Sequence, residues 1–236
     1  MFEAHGSFID ILEARFAAMR AINQVPDFSA IKFPEGWWIH RHPKWPEVDH
    51  FYVLDTVDPS LVVAKIRQFA PDPSFRLTVF ARSAPNLIDA YARYDFVQSD
   101  EFVQHFMLKT PEKCEAPNVE VLSATVSTLS ENGYGLVTRY AITRGGVEVS
   151  NGYTTRILPN FTYLSGMHTA KTARRQGLAT KILSTIEYDA VEAGFNTVIL
   201  CASSDGQPLY KMAGFQTVAR MVSMVPSDPI RWLGQD

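Results

Sequence analysis

The chain has 236 residues, 46% hydrophobic and 20% charged, the balance of a soluble globular protein with room for one large core or two small ones. Its formal net charge of -3 gives no general reason to expect nucleic acid as a partner, so any basic function must be local. Cys114 and Cys201 are too far apart to suggest a disulfide framework or a zinc pattern, and no apolar run is long enough for a bilayer span or a signal peptide, so a cytoplasmic location is expected.

Ser7 is placed to cap a helix running to about Asn23, with Phe8, Ile11, Leu12, Arg15, Phe16 and Met19 at helical spacing, and Pro26 ends it. Trp37 to Ile39 and Phe51 to Leu54 read as short strands. His40, His42 and His50 invite a metal reading, because alternate strand residues share a face, but no carboxylate or cysteine completes a ligand set and no metal is expected. Asp58 followed by Pro59 announces a helix from Ser60 to Phe69. Phe75 to Ala81 alternates as a strand, Pro85 to Tyr94 reads as a short helix, and Phe96 to Leu108 carries β-type residues on either side of Asp100-Glu101. The polar stretch Pro111 to Pro117 is the best linker, which divides the chain into 1–115 and 116–236.

The second half opens with a strand over Val119 to Val126 and a turn at Glu131-Asn132-Gly133. Leu136 to Thr143 and Val147 to Ile157 surround Arg144-Gly145-Gly146, a hairpin signal. After Pro159-Asn160, Phe161 to Thr169 extends an antiparallel meander and leads into Ala173 to Thr180, which carries Arg174, Arg175 and Gly177. A helix from Gln176 to Ala193 follows, with Leu178, Ile182, Leu183, Ile186 and Ala190 on one face. A helix start leaves backbone N–H groups unpaired and carries positive partial charge, so this loop reads as an anion site. Thr197 to Cys201 has the all-apolar pattern of a buried strand. Gln207 to Met212 is a short helix, Gln216 to Val225 a last strand pair, and the tail from Pro226 irregular.

In this order, the second half resembles a GCN5-related N-acetyltransferase (GNAT) domain over about residues 119–225. The family signature is Gln or Arg, two residues, Gly, one residue, then Gly or Ala, and Arg174-Arg175-Gln176-Gly177-Leu178-Ala179 matches it. Leu209-Tyr210-Lys211-Met212-Ala213-Gly214-Phe215 matches the later helix-and-strand motif, with the tyrosine in register. The resemblance implies a mixed α/β (α+β) fold with a mostly antiparallel central sheet flanked by helices. It also implies acetyl-CoA as co-substrate in a V-shaped opening beside the central strand.

The cofactor would meet the strand end Met167, His168 and Thr169, the loop residues Arg174, Arg175, Gln176, Gly177, Leu178, Ala179 and Thr180, and Ser203. Tyr210 would protonate the leaving sulfur, and Glu148 is the candidate base. His168, by alternation, points away from the face shared by Met167 and Thr169, and ranks lower for that role. The expected function is transfer of the acetyl group to a primary amine of a small molecule by direct attack on the thioester. A peptide or protein amine, or a non-catalytic acyl-CoA sensor, are the alternatives. Neither nucleic acid nor membrane is expected as a partner, and a homodimer is left open.

Three departures stand out: Ser203 replaces a frequent asparagine, Lys171 a common proline, and Thr125 to Gly135 is too short for the usual helical pair covering the substrate side. The first half echoes the second. Phe75 to Ala81 with Tyr91 and Phe96 parallels Thr197 to Cys201 with Tyr210 and Phe215, so residues 1–115 are read as a degenerate GNAT-like copy, giving a tandem of two GNAT-like halves, or else as a structural domain. The matching loop in the first half, Asp55 to Pro59, is acidic and lacks Gly and Arg, so a single acetyl-CoA site is expected, in the second half.

Overall fold

The computed structural model describes residues 8–23, 29–40, 48–70, 74–82, 86–99, 104–113, 120–128, 136–157 and 160–228. Ser7, Pro26, His42, Cys114, Pro159, Asp100-Glu101 and Glu131-Asn132-Gly133 lie outside them. In chain order the elements are α1 (Phe8–Asn23), β1 (Ser29–Phe33), β2 (Gly36–His40), β3 (Asp49–Leu54), α2 (Pro59–Phe69), β4 (Phe75–Ala81), α3 (Leu87–Ala92), β5 (Phe96–Gln98) and β6 (Gln104–Lys109). There follow β7 (Leu122–Thr128), β8 (Leu136–Arg144), β9 (Val147–Ile157), β10 (Phe161–Thr169), a single 3-10 turn (Lys171–Ala173), α4 (Leu178–Glu192), β11 (Thr197–Ser203), α5 (Gln207–Met212) and β12 (Gln216–Pro226). The whole is a mixed α/β fold, mostly antiparallel, flanked by helices. No helix among the described residues is long and apolar enough to cross a membrane.

By contacts the chain forms two compact units from interleaved stretches: Met1–Gln24 with Met107–Gln216, and Val25–Phe106 with Thr217–Asp236. The sequence reading divides the chain once, near residue 115, whereas the contacts give each unit a piece of the other half.

In the Val25–Phe106 unit the strand order is β1-β2-β3-β4-β12, with β5 also paired to β12. β1, missing from the sequence reading, forms a tight antiparallel hairpin with β2, closing at Phe33 and Gly36. β3 and β4 are parallel, and their pairing runs unbroken from Asp49 and Phe75 to Leu54 and Phe80. The crossover helix α2 starts as expected: Pro59 fills its first turn and the Asp58 carboxylate accepts from the Ser60 N–H at 2.8 Å. Its buried Val62, Val63 and Ile66 meet Phe51, Val53, Leu77 and Val79 in the core. The Tyr91 and Phe96 rings pack edge to face, 6.0 Å apart, across a bend in which Asp95 takes φ 62°. β12 corrects the expected last strand pair: Gln216 to Pro226 is one continuous strand, antiparallel to β4 and β5.

In the Met107–Gln216 unit the order is β7-β8-β9-β10-β11-β6. The β8–β9 hairpin turns on Gly145 and Gly146, both at positive φ as a two-residue turn matched to strand twist requires. The predicted apolar face of α4 is buried at Leu178, Ile182, Leu183, Ile186 and Ala190, against Leu164, Val198, Leu200 and Ala202. Helix α1 packs against β9 and β10. Its buried Arg15 places Nε 3.2 Å from Cys201 Sγ. Leu200 and Ala202 point into the α4-side core, so strand alternation turns Cys201 to the opposite face, and α1 covers that face.

Candidate functional site

The parallel pair β10–β11 is registered only from Phe161 and Thr197 to Leu164 and Leu200. Both strands continue, β10 to Thr169 and β11 to Ser203, so their carboxyl ends part and leave an open edge between them. The β3–β4 pair has no such opening, because its pairing reaches the last residue of β3. The Ala170 N–H turns to the Val149 carbonyl on β9, at 2.9 Å, so the Thr169 N–H faces the open edge.

Between Ser165 and His168 the β9–β10 register shifts, with Gly166 at φ 61° in the shift. Beyond it Thr169 pairs with Ser150, whose hydroxyl lies 2.9 Å from Thr169 Oγ1 and donates to the His168 carbonyl at 3.0 Å. Met167 lies over Gly152, where a Cβ would fall on its Sδ, close to Ile182 of α4. Met167 and Thr169 therefore share the α4 side.

The loop into α4 has the features of an anion cradle. Arg175 and Gly177 both take left-handed φ, of 63° and 73°. Gly177 is the N-cap, no side chain caps the helix, and the first helical bond is Lys181 N–H to Gly177. Arg174, Arg175, Gln176, Gly177 and Thr180 are exposed, Ala179 is half-buried, and Leu178 is anchored in the core. Arg174 Nε donates to the Thr169 carbonyl at 3.1 Å, tying the loop to the open edge. Glu120 ion-pairs with Lys181 and Arg144, and these contacts hold its carboxyl below the usual range, Lys181 contributing most. Arg144 also donates to Gln176 Oε1.

Tyr210 lies on α5 in the α4-side core, its ring edge to face with Phe215 at 5.8 Å, and burial pushes its hydroxyl up to about 12. Ser203 Oγ, at the end of β11, accepts from the Gly206 N–H at 3.1 Å. Glu148 is engaged elsewhere: its two oxygens take Arg139 and Asn151. Arg139 is held above its ordinary value, first by the Tyr153 hydroxyl it bonds and then by the Glu148 charge. Thus Met167, Thr169 and the loop Arg174 to Thr180 adjoin one opening and its helix start, Tyr210 lies beside Ser203 and Gly206 after β11, and Glu148 sits in a separate polar cluster on the hairpin. Ser150 and Gly152 were missed from sequence, where a serine and a glycine in a strand carry no signal of the shift that makes them matter. At the other end of the chain, the His40 ring bonds Asp49 at 2.8 Å, and no cluster of three or more His, Cys, Asp or Glu among the described residues is arranged for a metal.

An antiparallel meander, a parallel pair that opens, and an uncapped basic helix start define a fold of the acetyltransferase type. Residues 124–224 match the family model of the acetyltransferase (GNAT) domain, a family that uses acetyl-CoA. No curated protein sequence matches it. Solved structures share the fold over most of their length. A GCN5-related N-acetyltransferase from Kribbella flavida is 16% identical with TM-score 0.58, covering 91% of this chain and 95% of that one. One from Sphaerobacter thermophilus is 14% identical with TM-score 0.54 and covers 90% of each. A tandem GNAT protein from the clavulanic acid biosynthesis pathway is 11% identical with TM-score 0.54, covering 94% of this chain and 97% of that one.

Proposed function

We propose that the chain binds one acetyl-CoA in the opening between β10 and β11 and transfers its acetyl group to a primary amine of a small molecule. The observation that carries this reading is the end of β10–β11 pairing at Leu164 and Leu200 beside the uncapped start of α4. The pantetheine amides would pair along the edge from Met167 to Thr169, with the pyrophosphate on the loop N–H groups and Arg174 and Arg175 adding charge-assisted bonds. The amine nitrogen attacks the thioester carbon, the oxyanion forms by an N–H of the open edge, and the C–S bond breaks as the sulfur takes a proton from Tyr210. A hydroxyl at about 12 is fully protonated at neutral pH, which suits it to that role.

The first half is, in this proposal, a second GNAT-like copy without a cofactor site, joined near residue 115. The matching edge-to-face pairs Tyr91–Phe96 and Tyr210–Phe215, each with a left-handed residue before the phenylalanine, Asp95 and Gly214, support the repeat. The closed β3–β4 pair and the Asp58 carboxylate on the α2 start support the loss of the site. Titration calorimetry with acetyl-CoA tests the cofactor reading: binding by the wild type, weakened at least about tenfold by Arg174→Glu, is expected, and no binding, or equal binding by the variant, would overturn it. Thiol release with amino acids, polyamines, aminoglycosides and peptide N-termini then separates the small-molecule reading from the peptide and sensor alternatives.

A further inference from the structure

We infer that His168 is the general base of the acetyl transfer, an inference that rests on the acetyl-CoA reading above. Unbroken alternation from Leu164, which points into the α4-side core, would put His168 on the α4 side as well. The register shift between Ser165 and His168 reverses this. Directly paired residues share a face, so His168, paired with Asn151, stands on the face opposite Met167 and Thr169. That face carries Tyr153, paired with Ser165, and the Asn151–Glu148–Arg139 cluster, and α1 packs on it.

His168 is thus an exposed imidazole beyond the last β10–β11 pair, on the side of the open edge away from α4 and Tyr210. An amine arriving from that side meets His168 first, with the cofactor's leaving sulfur and Tyr210 across the edge. Glu148 on the same face has both oxygens engaged.

The step balances. The N–C bond forms and the carbonyl pair moves to oxygen; His168 takes the proton from the now cationic nitrogen; the C=O re-forms as C–S breaks, and the thiolate takes the Tyr210 proton. The proton left on His168 equals the one Tyr210 regains from solvent. Among the titratable and charged groups on the elements around His168 are Tyr163 on β10, Glu148 and Tyr153 on β9, Arg139 on β8, Cys201 on β11, Asp10, Glu13 and Arg15 on α1, and Lys171 and Arg174 in the loop after β10.

His168→Gln and Glu148→Gln test the inference, with melting temperature checking the fold. Calorimetry should give His168→Gln an acetyl-CoA Kd within about twofold of wild type, because its side chain leaves the cofactor side. Thiol release, with the amine panel or with water as acceptor, should fall at least about 100-fold in kcat for His168→Gln, and the acidic limb of kcat/KM should vanish. Full turnover by His168→Gln, loss of the limb in Glu148→Gln instead, or a wild type that binds acetyl-CoA and releases no thiol above background would overturn it. Absence of acetyl-CoA binding by the wild type overturns the cofactor reading and this inference together, which calorimetry reports separately from turnover.

Discussion

Tyr210 joins chemistry to packing through one number. Its hydroxyl, raised to about 12 by burial, favours the protonated form in the fold. Its contribution to stability is complete below the unfolded value of about 10 and lost as pH rises through the folded one. An alkaline limb in turnover below pH 10 therefore has another source, and Tyr210→Phe should slow thiol release by about 100-fold while acetyl-CoA affinity stays within about twofold. Equal turnover by this variant would remove Tyr210 from the mechanism. Gly152 offers a second residue-scale test. A methyl there displaces Met167, whose flexible end can move without disturbing the backbone, so Gly152→Ala should lower the melting temperature by only a few degrees and weaken acetyl-CoA binding by about tenfold as Met167 swings into the opening. A melting point that collapses, with affinity unchanged in the folded fraction, would show that Met167 has no room to yield.

At the level of elements, the starts of α2 and α4 show how one local choice divides binding from structure. Asp58 satisfies the α2 start from within the chain, and its two bonds from Ser60, the hydroxyl contributing most, hold its carboxyl below the usual range. A depressed carboxylate stabilises the fold above its unfolded value near 3.9 and loses that effect as pH falls through the folded value. Asp58→Asn should accordingly narrow the gap between melting temperatures at pH 6 and pH 3, measured by circular dichroism. The α4 start has no side chain of this kind, and Gly177→Ala, with open space but φ 73°, should cost about 1 kcal/mol through strain alone.

Both starts were legible in the sequence, since Asp-Pro and the Arg-Gly loop are local signals, and so were the meander and the buried face of α4. The register shift at Gly166 was not: its cause lies in pairing with β9, and although alternation already set His168 opposite Met167 and Thr169, it could not show that Leu164 and Met167 share the α4 side. β1 escaped because its five residues, Ser29–Phe33, carry little alternation, and β12 was divided in two because nothing local shows that it is one strand.

For the molecule as a whole, the expected stoichiometry is one acetyl-CoA per chain, read directly from calorimetry; two sites would mean that the Val25–Phe106 unit binds as well. Helix α1, from the first half of the chain, packs against β9 and β10, and in the proposed reading it supplies the acceptor wall. No single-sequence pattern announces such long-range placement, since Arg15 and Cys201 are separated by 186 positions.

The placement of β12 also sets a timetable for synthesis. The Val25–Phe106 unit pairs β4 with a strand that leaves the ribosome long after β4 itself, and the Met107–Gln216 unit holds a helix made before any of its strands. The growing chain must therefore carry an unpaired β4 edge, from Phe75 to Ala81, until β12 emerges. Premature termination before Arg220 therefore leaves the sheet of the Val25–Phe106 unit without its last strand, while the strands of the Met107–Gln216 unit have already been made.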